Sequence, residues 1–322
     1  MRTPASASSE SALADGRVVA NHGRTVVVED GAGHRHACRL HGRRLTTVCG
    51  DNVLFTPPAA GNPTGIVQSL KPRRTVLSRL SLQGNGEAIV ANLTQLVVVA
   101  AVLPAPDWFV VDRYLAAAAW AHLKSVVVYN KCDLASSPTD CELDAYAAIG
   151  VTVLRTSTHG APGHGVLAAR LDHEVSVLVG QSGTGKSSLL NALIPEACAI
   201  TQEISAATEE GRHTTTHAVL HRIPSGGDLI DSPGVRDYAP PLPERRHIAS
   251  GFLEFSTHAI RCRFADCLHL REPGCAVRQA VESGQIAKRR YDSFRHLMTL
   301  EREMEERFPS NRKGSEGARP SR

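Results

Sequence analysis

Residues 180–187 read Gly180-Gln181-Ser182-Gly183-Thr184-Gly185-Lys186-Ser187, which fits the pattern G-x4-G-K-[ST]. No other stretch restricts the fold as much. The pattern works only where a strand runs into a glycine-rich loop and the loop opens a helix, because backbone N–H groups must curl around a phosphate. An apolar run at 175–179 precedes the loop, and 187–193 continues with helical spacing. The amides of Ser182 to Lys186 are expected to wrap a phosphate. Lys186 would reach the β- and γ-phosphates, and the Ser187 hydroxyl would ligate Mg2+. A chance glycine/serine loop is the competing reading, and the strand–loop–helix context disfavours it.

Two further motifs narrow the nucleotide. Asn130-Lys131-Cys132-Asp133 follows the apolar stretch 126–129 and matches N-K-x-D. An aspartate there accepts hydrogen bonds from guanine N1–H and the exocyclic amine. Adenine offers neither donor and would leave the carboxylate unpaired. Asp231-Ser232-Pro233-Gly234 follows 228–230 and matches D-x-x-G, in which the aspartate holds Mg2+ and the glycine amide meets the γ-phosphate. An ordinary GTPase runs P-loop, D-x-x-G, then N-K-x-D. Here N-K-x-D comes first. Each motif still follows a strand, where an open α/β sheet builds its site, so the order implies a circularly permuted G domain. D-x-x-G then falls near the end of that domain and feeds the C-terminal module, so nucleotide state could move that module.

The polar segment 211–216 reads Gly-Arg-His-Thr-Thr-Thr. One hydroxyl there would complete Mg2+ coordination. Thr215 is favoured, although spacing does not separate it from Thr214 and Thr216. Thr156-Ser157-Thr158, after the strand 151–154, could supply a backbone contact to the guanine oxygen, with Ser157 the candidate. Val235 follows Gly234, where Ras-like enzymes carry a water-positioning glutamine. Slow intrinsic hydrolysis follows, with the water oriented by a partner or another group. His213 is the best candidate in cis; a packing or loop-capping role is its alternative.

The remaining chain frames this centre. At 322 residues the length allows two or three domains of roughly 100–200 residues. The longest apolar run, 96–103, is stopped by Pro104, far short of the roughly 20 residues a membrane span needs. The first fourteen residues lack an apolar export core. A cytoplasmic, membrane-free protein with reduced thiols is expected. Five of the eight cysteines are scattered, whereas Cys262, Cys267 and Cys275 crowd together with His269. Three thiolates and an imidazole suit tetrahedral Zn2+, and four ligands leave no open position, so the expected site is structural. Charge is uneven. Residues 15–80 hold ten Lys/Arg against four Asp/Glu, 81–244 nine against seventeen, and 245–322 sixteen against ten. Two basic ends flank an acidic centre, as in modules that face nucleic acid.

Short β-rich runs at 17–20, 25–29, 53–55 and 66–69, split by glycines, predict a small all-β barrel or sandwich, with 71–74 as a basic linker. Strand–helix alternation from 88 predicts an α/β, mostly parallel sheet, with helices at 112–123, 140–149 and 187–193. Beyond Pro240 a helical, basic module follows, with a long helix over 284–308 whose apolar side is Tyr291, Phe294, Leu297, Met298 and Leu300. No heptad run argues for a dimer, so a monomer is expected.

These residues together resemble the RsgA family of circularly permuted, small-ribosomal-subunit-dependent GTPases. The resemblance covers roughly 15–305. It rests on 180–188 (Ser188 included), 130–133, 231–234, 211–216 and the string Asp266-Cys-Leu-His-x3-Glu-Pro-Gly-Cys275. It implies an OB-fold over 15–78, a permuted G domain over 79–240 and a zinc-binding helical domain over 241–308. The polar composition of 1–14 and 309–322 itself predicts a disordered tail at each end. The resemblance also implies GTP and GDP as ligands, binding to the small subunit and its rRNA in late maturation, and hydrolysis stimulated by that subunit. Thr94 stands where the family usually shows aspartate, and both termini carry extra polar residues. A GTP-regulated RNA-binding scaffold and a P-loop kinase or ATPase are the competing functions; Asn130 and Asp133 disfavour the latter.

Overall fold

Residues that alternate inward and outward build the first unit. In Asn52–Thr56 only Val53 and Phe55 are fully enclosed, and in Gly65–Leu70 it is Gly65 and Val67, the period-two pattern of a half-buried strand. The computed structural model describes residues 13–59, 61–80, 86–134, 140–160, 163–195, 218–236 and 240–307. Strands β1 (Ala14–His22), β2 (Thr25–Asp30), β3 (Arg35–Leu40), β4 (Asn52–Thr56) and β5 (Gly65–Leu70) pair in the ring β1-β2-β3-β5-β4, which β4 closes onto β1. Its interior holds Val18, Val26, Val28, Phe55 and Val67. Strand β3 is inconspicuous in the sequence because only Cys38 and Leu40 enter that core. The expected linker at 71–74 is firmly held: Arg73 forms a two-pronged pair with the fully buried Asp51, at 2.7 and 2.8 Å.

A hairpin of β6 (Val76–Leu80) and β7 (Gly86–Ala91), unforeseen in the sequence, connects the barrel to the α/β unit. There β8 (Gln95–Ala101), β9 (Lys124–Asn130), β10 (Thr152–Arg155), β11 (Val175–Val179) and β13 (Asp228–Asp231) run parallel in the order β10-β9-β8-β11-β13, and β12 (Ala218–Arg222) joins β13 antiparallel. Every residue of β8 is buried, as its unbroken apolar run predicts for a central parallel strand. Leu96, Val98 and Ala100 meet helix α1 (Trp108–Trp120) and helix α2 (Asp140–Ala148) through Val111, Leu115 and Tyr146. Val97 and Val99 meet helix α3 (Gly165–Leu171) and helix α4 (Lys186–Leu193) through Leu167, Leu171, Leu189 and Leu193 on the other face. Helices on both faces of a parallel sheet are what the strand–helix alternation predicts.

The barrel is continuous with this sheet. Strand β1 pairs β12 at Ala20↔Val219 and Asn21↔Ala218, and Arg17 bridges to Asp228 at 2.6 Å. After Pro240 the chain forms 3-10 turns and helices packed on α1. Phe252, Phe255, Phe294 and Leu297 share one core with Ala116 of α1. Gly251 permits the approach, since a Cβ there would lie 2.7 Å from the Trp120 indole nitrogen and 2.8 Å from the Ala116 Cβ. The long helix spans Lys288–Arg307, and Tyr291, Phe294, Leu297 and Met298 of the expected apolar side are buried.

Candidate nucleotide site and metal cluster

The five parallel strands deliver their loops to one edge of the sheet, and the predicted motifs meet there. Strand β11 ends at Val179, and the loop from Gly180 turns back beneath β8. A Cβ on Gly180 (φ 141°) would lie 2.1 Å from the Val99 carbonyl oxygen, and one on Gly185 (φ 92°) 2.4 Å from the Asn130 side-chain nitrogen. Only glycine fits these two positions. The Lys186 ammonium spans the loop, donating to the carbonyls of Gly180 at 2.7 Å and Gln181 at 2.6 Å. The Thr184 hydroxyl donates to the Gln181 carbonyl at 3.0 Å, which fixes the bend before α4.

Asn130 and Lys131 fasten this loop to its neighbours. Buried Asn130 donates from Nδ2 to the Thr184 carbonyl at 3.0 Å, and its Oδ1 accepts the Thr156 hydroxyl at 3.0 Å. Lys131 donates to the carbonyls of Gly183 and Leu103, both at 2.7 Å. Asp133 is left exposed in the 3-10 turn Cys132–Leu134. Its Oδ1 accepts the Ser157 hydroxyl at 2.5 Å. Sequence reasoning assigns Ser157 a backbone contact with guanine; its side chain also orients the aspartate. The serine is itself anchored, its Oγ accepting the His159 amide at 3.0 Å.

Lys186, Ser187 and Asp231 border a small cavity floored by Leu178, Leu190 and Leu229. A hydroxyl and a carboxylate beside the loop are hard oxygen donors of the kind Mg2+ takes, so the residues fit that ion. Gly234 follows in the short turn Pro233–Arg236, while Val235 is buried in the core and offers no group to a water. His213 and Thr215, with Thr214 and Thr216, lie outside the described residues. Gln181 joins the loop to α1: its Oε1 accepts the Asp107 amide at 2.9 Å, and Asp107 caps α1 by accepting from Phe109 and Val110.

In the C-terminal unit, the ligand atoms of Cys262, Cys267, His269 and Cys275 all lie within 4.8 Å of one another. His269 Nδ1 is 3.6 Å from Cys262 Sγ and 3.5 Å from Cys275 Sγ, and the two sulfurs are 4.0 Å apart. Metal–sulfur bonds of about 2.3 Å at tetrahedral angles give sulfur–sulfur edges of roughly 3.8 Å, so the set fits a closed zinc site. Burial pushes the Cys267 thiol up to about 12, so clustering thiolates here calls for a cation. Sequence spacing points to these four side chains but not to their supports. Glu272 accepts backbone N–H bonds from Leu268, Leu270 and Arg271, and the Tyr291 hydroxyl donates to the His269 carbonyl at 2.7 Å.

A buried ion cluster joins the two units and has no motif to announce it. Asp112 of α1 is fully enclosed and accepts from Arg289 at 2.6 Å, Arg290 at 2.9 Å and the Tyr146 hydroxyl at 2.7 Å. Arg290 also grips Glu254 through two bonds of 2.8 and 2.9 Å.

With this geometry in view, comparisons with known proteins decide the family. The family model described as RsgA GTPase matches residues 70–239. A small ribosomal subunit biogenesis GTPase RsgA from Chromohalobacter salexigens is 42% identical over 290 residues, covering 88% of this chain and 85% of that one. The chain belongs to the RsgA GTPase family. A second RsgA relative, from Ectopseudomonas mendocina, is 40% identical over 88% of this chain and 84% of its own. The solved structure of YjeQ from Thermotoga maritima superposes with a TM-score of 0.73 at 30% identity, covering 90% of this chain and 99% of that one. YloQ, described as a circularly permuted GTPase, gives 0.72 at 25% identity, covering 93% and 98%. The chain is thus a GTP hydrolase with a permuted G domain. Thr94 sits at the opposite edge of the sheet, where its hydroxyl donates to Glu174 at 2.6 Å and accepts the Val175 amide at 2.8 Å. That placement separates it from the nucleotide motifs.

Proposed function

We propose that this GTPase acts in late maturation of the small ribosomal subunit, in the cytoplasm and as a monomer. It binds rRNA through its basic barrel, read as an OB-fold, and through its zinc-supported C-terminal unit. The observation that carries the guanine reading is the lacing of N-K-x-D into the P-loop by Asn130 and Lys131, which leaves Asp133 outward beside Ser157. The ribosomal reading draws on the names of the relatives and on the two basic ends.

In this reading the amides of 182–186 and Ser188 at the start of α4 face the phosphates, and Gly234 meets the γ-phosphate. Lys186 neutralises the β- and γ-oxygens as charge develops between them. Ser187, Asp231 and Thr215 would hold the Mg2+, which would supply charge stabilisation at the phosphoryl oxygens. Asp133 accepts from the guanine N1–H and amine, with Cys132 and Ser157 flanking the base. His213 orients the attacking water. Val235 lies buried in the core and offers that water no group, so hydrolysis by the isolated protein is slow and is stimulated by the subunit.

The test is GTP turnover with and without purified small ribosomal subunits, beside an ATP control. Turnover is expected to rise by more than tenfold with subunits and to be negligible with ATP. Turnover indifferent to subunits would overturn the ribosomal role. Zinc removal by a strong chelator is expected to loosen the C-terminal unit while guanine-nucleotide binding persists, because structural metal binding is part of folding energy. Proteolysis confined to residues beyond 240, with fluorescent-GDP affinity retained, checks it. The same cleavage pattern before and after metal removal would contradict the structural role.

A further inference from the structure

We propose that the groove between the metal-cluster loop and the Lys288–Arg307 helix binds the phosphate backbone of RNA. The proposal rests on the RNA-binding reading above and deepens it by naming the site. The groove encloses about 610 Å³ and is lined by Arg245, Arg271, Arg295, His296, Met298 and Arg302 among others. Four arginines therefore line one concave surface.

Two carboxylates also line it, and both are engaged. Glu272 is taken up by its three backbone N–H donors, which hold its charge on the loop side. Asp292 accepts Lys288 at 2.7 Å. Arg245 and Arg271 have no ion-pair partner among the described residues, and Arg245 Nε is buried without a hydrogen-bond acceptor. Arg295 and Arg302 make only loose contacts with acids of their own helix, at 3.9 and 3.8 Å, and their side chains are 61% and 58% exposed. The guanidinium fork matches phosphate oxygens two at a time, so the surface suits phosphodiesters.

The walls are fixed in advance. Glu272 clamps the loop, and Tyr291 ties His269 to the helix. Arg295 and Arg302 lie seven residues apart on one side of that helix, roughly 10 Å along its axis. An anion long enough to touch both is a chain of phosphates. His296 stacks one ring face on Phe109 of α1 at 4.1 Å. With four arginines in the lining, the contacts are chiefly to the phosphate backbone, and the groove binds without strong sequence preference.

The experiment uses the full-length, zinc-loaded protein and a labelled short RNA hairpin of arbitrary sequence, titrated across a salt series. Arg295→Gln/Arg302→Gln is the first variant, and Arg271→Gln a second that leaves the helix untouched. Melting temperatures confirm that each is folded. The double variant is expected to bind about tenfold or more weakly, with a log–log salt slope shallower by about 1.5, the loss of two phosphate contacts. A parent that binds RNA while both variants match it in affinity and slope would overturn the groove alone. A parent that shows no salt-dependent RNA binding would instead overturn the RNA-binding reading, and the groove with it. Tripolyphosphate that displaces the hairpin at equal phosphate concentration would reassign the groove to free polyphosphates.

Discussion

Asp133→Asn is expected to weaken GTP binding by about 2–4 kcal/mol, roughly thirty- to a thousandfold, because two charge-assisted hydrogen bonds to the base are lost or mismatched. The direction follows from atoms. A carboxylate accepts from both N1–H and the exocyclic amine of guanine. Asparagine keeps one acceptor but turns its own NH2 toward the amine, so donor faces donor. A purine with a carbonyl in place of that amine removes the conflict, so xanthosine triphosphate should bind the variant better than GTP does. Ser157 still donates to position 133, and Asn130 and Lys131 still hold the loop, so the fold should be spared. Displacement of a fluorescent guanine nucleotide by each triphosphate reads the change. Undiminished GTP affinity, or no gain for the xanthine base, would refute the assignment of Asp133 as the base reader.

How far the sequence reveals this protein depends on where the information is stored. The P-loop, N-K-x-D and D-x-x-G are legible because phosphate and guanine chemistry demands fixed residues at short spacing. The β8 strand is legible because a central parallel strand is apolar on both faces. The cluster Cys262, Cys267, His269 and Cys275 is legible because few other uses bring such side chains so close. Other features depend on contacts distant in sequence. Strand β3 hides because Arg35, His36 and Arg39 are not enclosed in the barrel core and mask its period. The apparent linker hides an anchor because Arg73 meets Asp51, twenty-two residues back. The continuity of barrel and sheet rests on two residue pairs between β1 and β12, about two hundred positions apart. No local pattern announces such pairing. Asp112 reads as an ordinary helix-start acid, and its partners Arg289 and Arg290 as members of a basic helix.

That last concealment marks the second large effect. Asp112→Ala is expected to destabilise the protein by about 3–5 kcal/mol, since removing one member of a buried ion cluster leaves the others desolvated and unpaired. Burial alone would pull the Arg290 pKa down, yet the charges of Asp112 and Glu254 outweigh it and hold the guanidinium above its ordinary value. Without Asp112, Arg290 keeps only Glu254, Arg289 keeps Glu142, and the Tyr146 hydroxyl loses its acceptor. Asp112→Asn, which keeps an acceptor for Tyr146, should cost less than the alanine. Urea denaturation measures both, and an alanine variant within about 0.5 kcal/mol of the parent would mean the cluster adds no net stability. The position of the cluster also predicts where the damage spreads. Helix α1 receives Gln181 of the P-loop at Asp107 and the C-terminal helix at Asp112, five residues or roughly 7.5 Å along the helix. The C-terminal unit should therefore loosen first, while the nucleotide loop, laced independently by Asn130 and Lys131, keeps its affinity until global unfolding. Simultaneous loss of nucleotide affinity and C-terminal protection in the folded alanine variant would instead show that α1 carries one unit's state directly to the other.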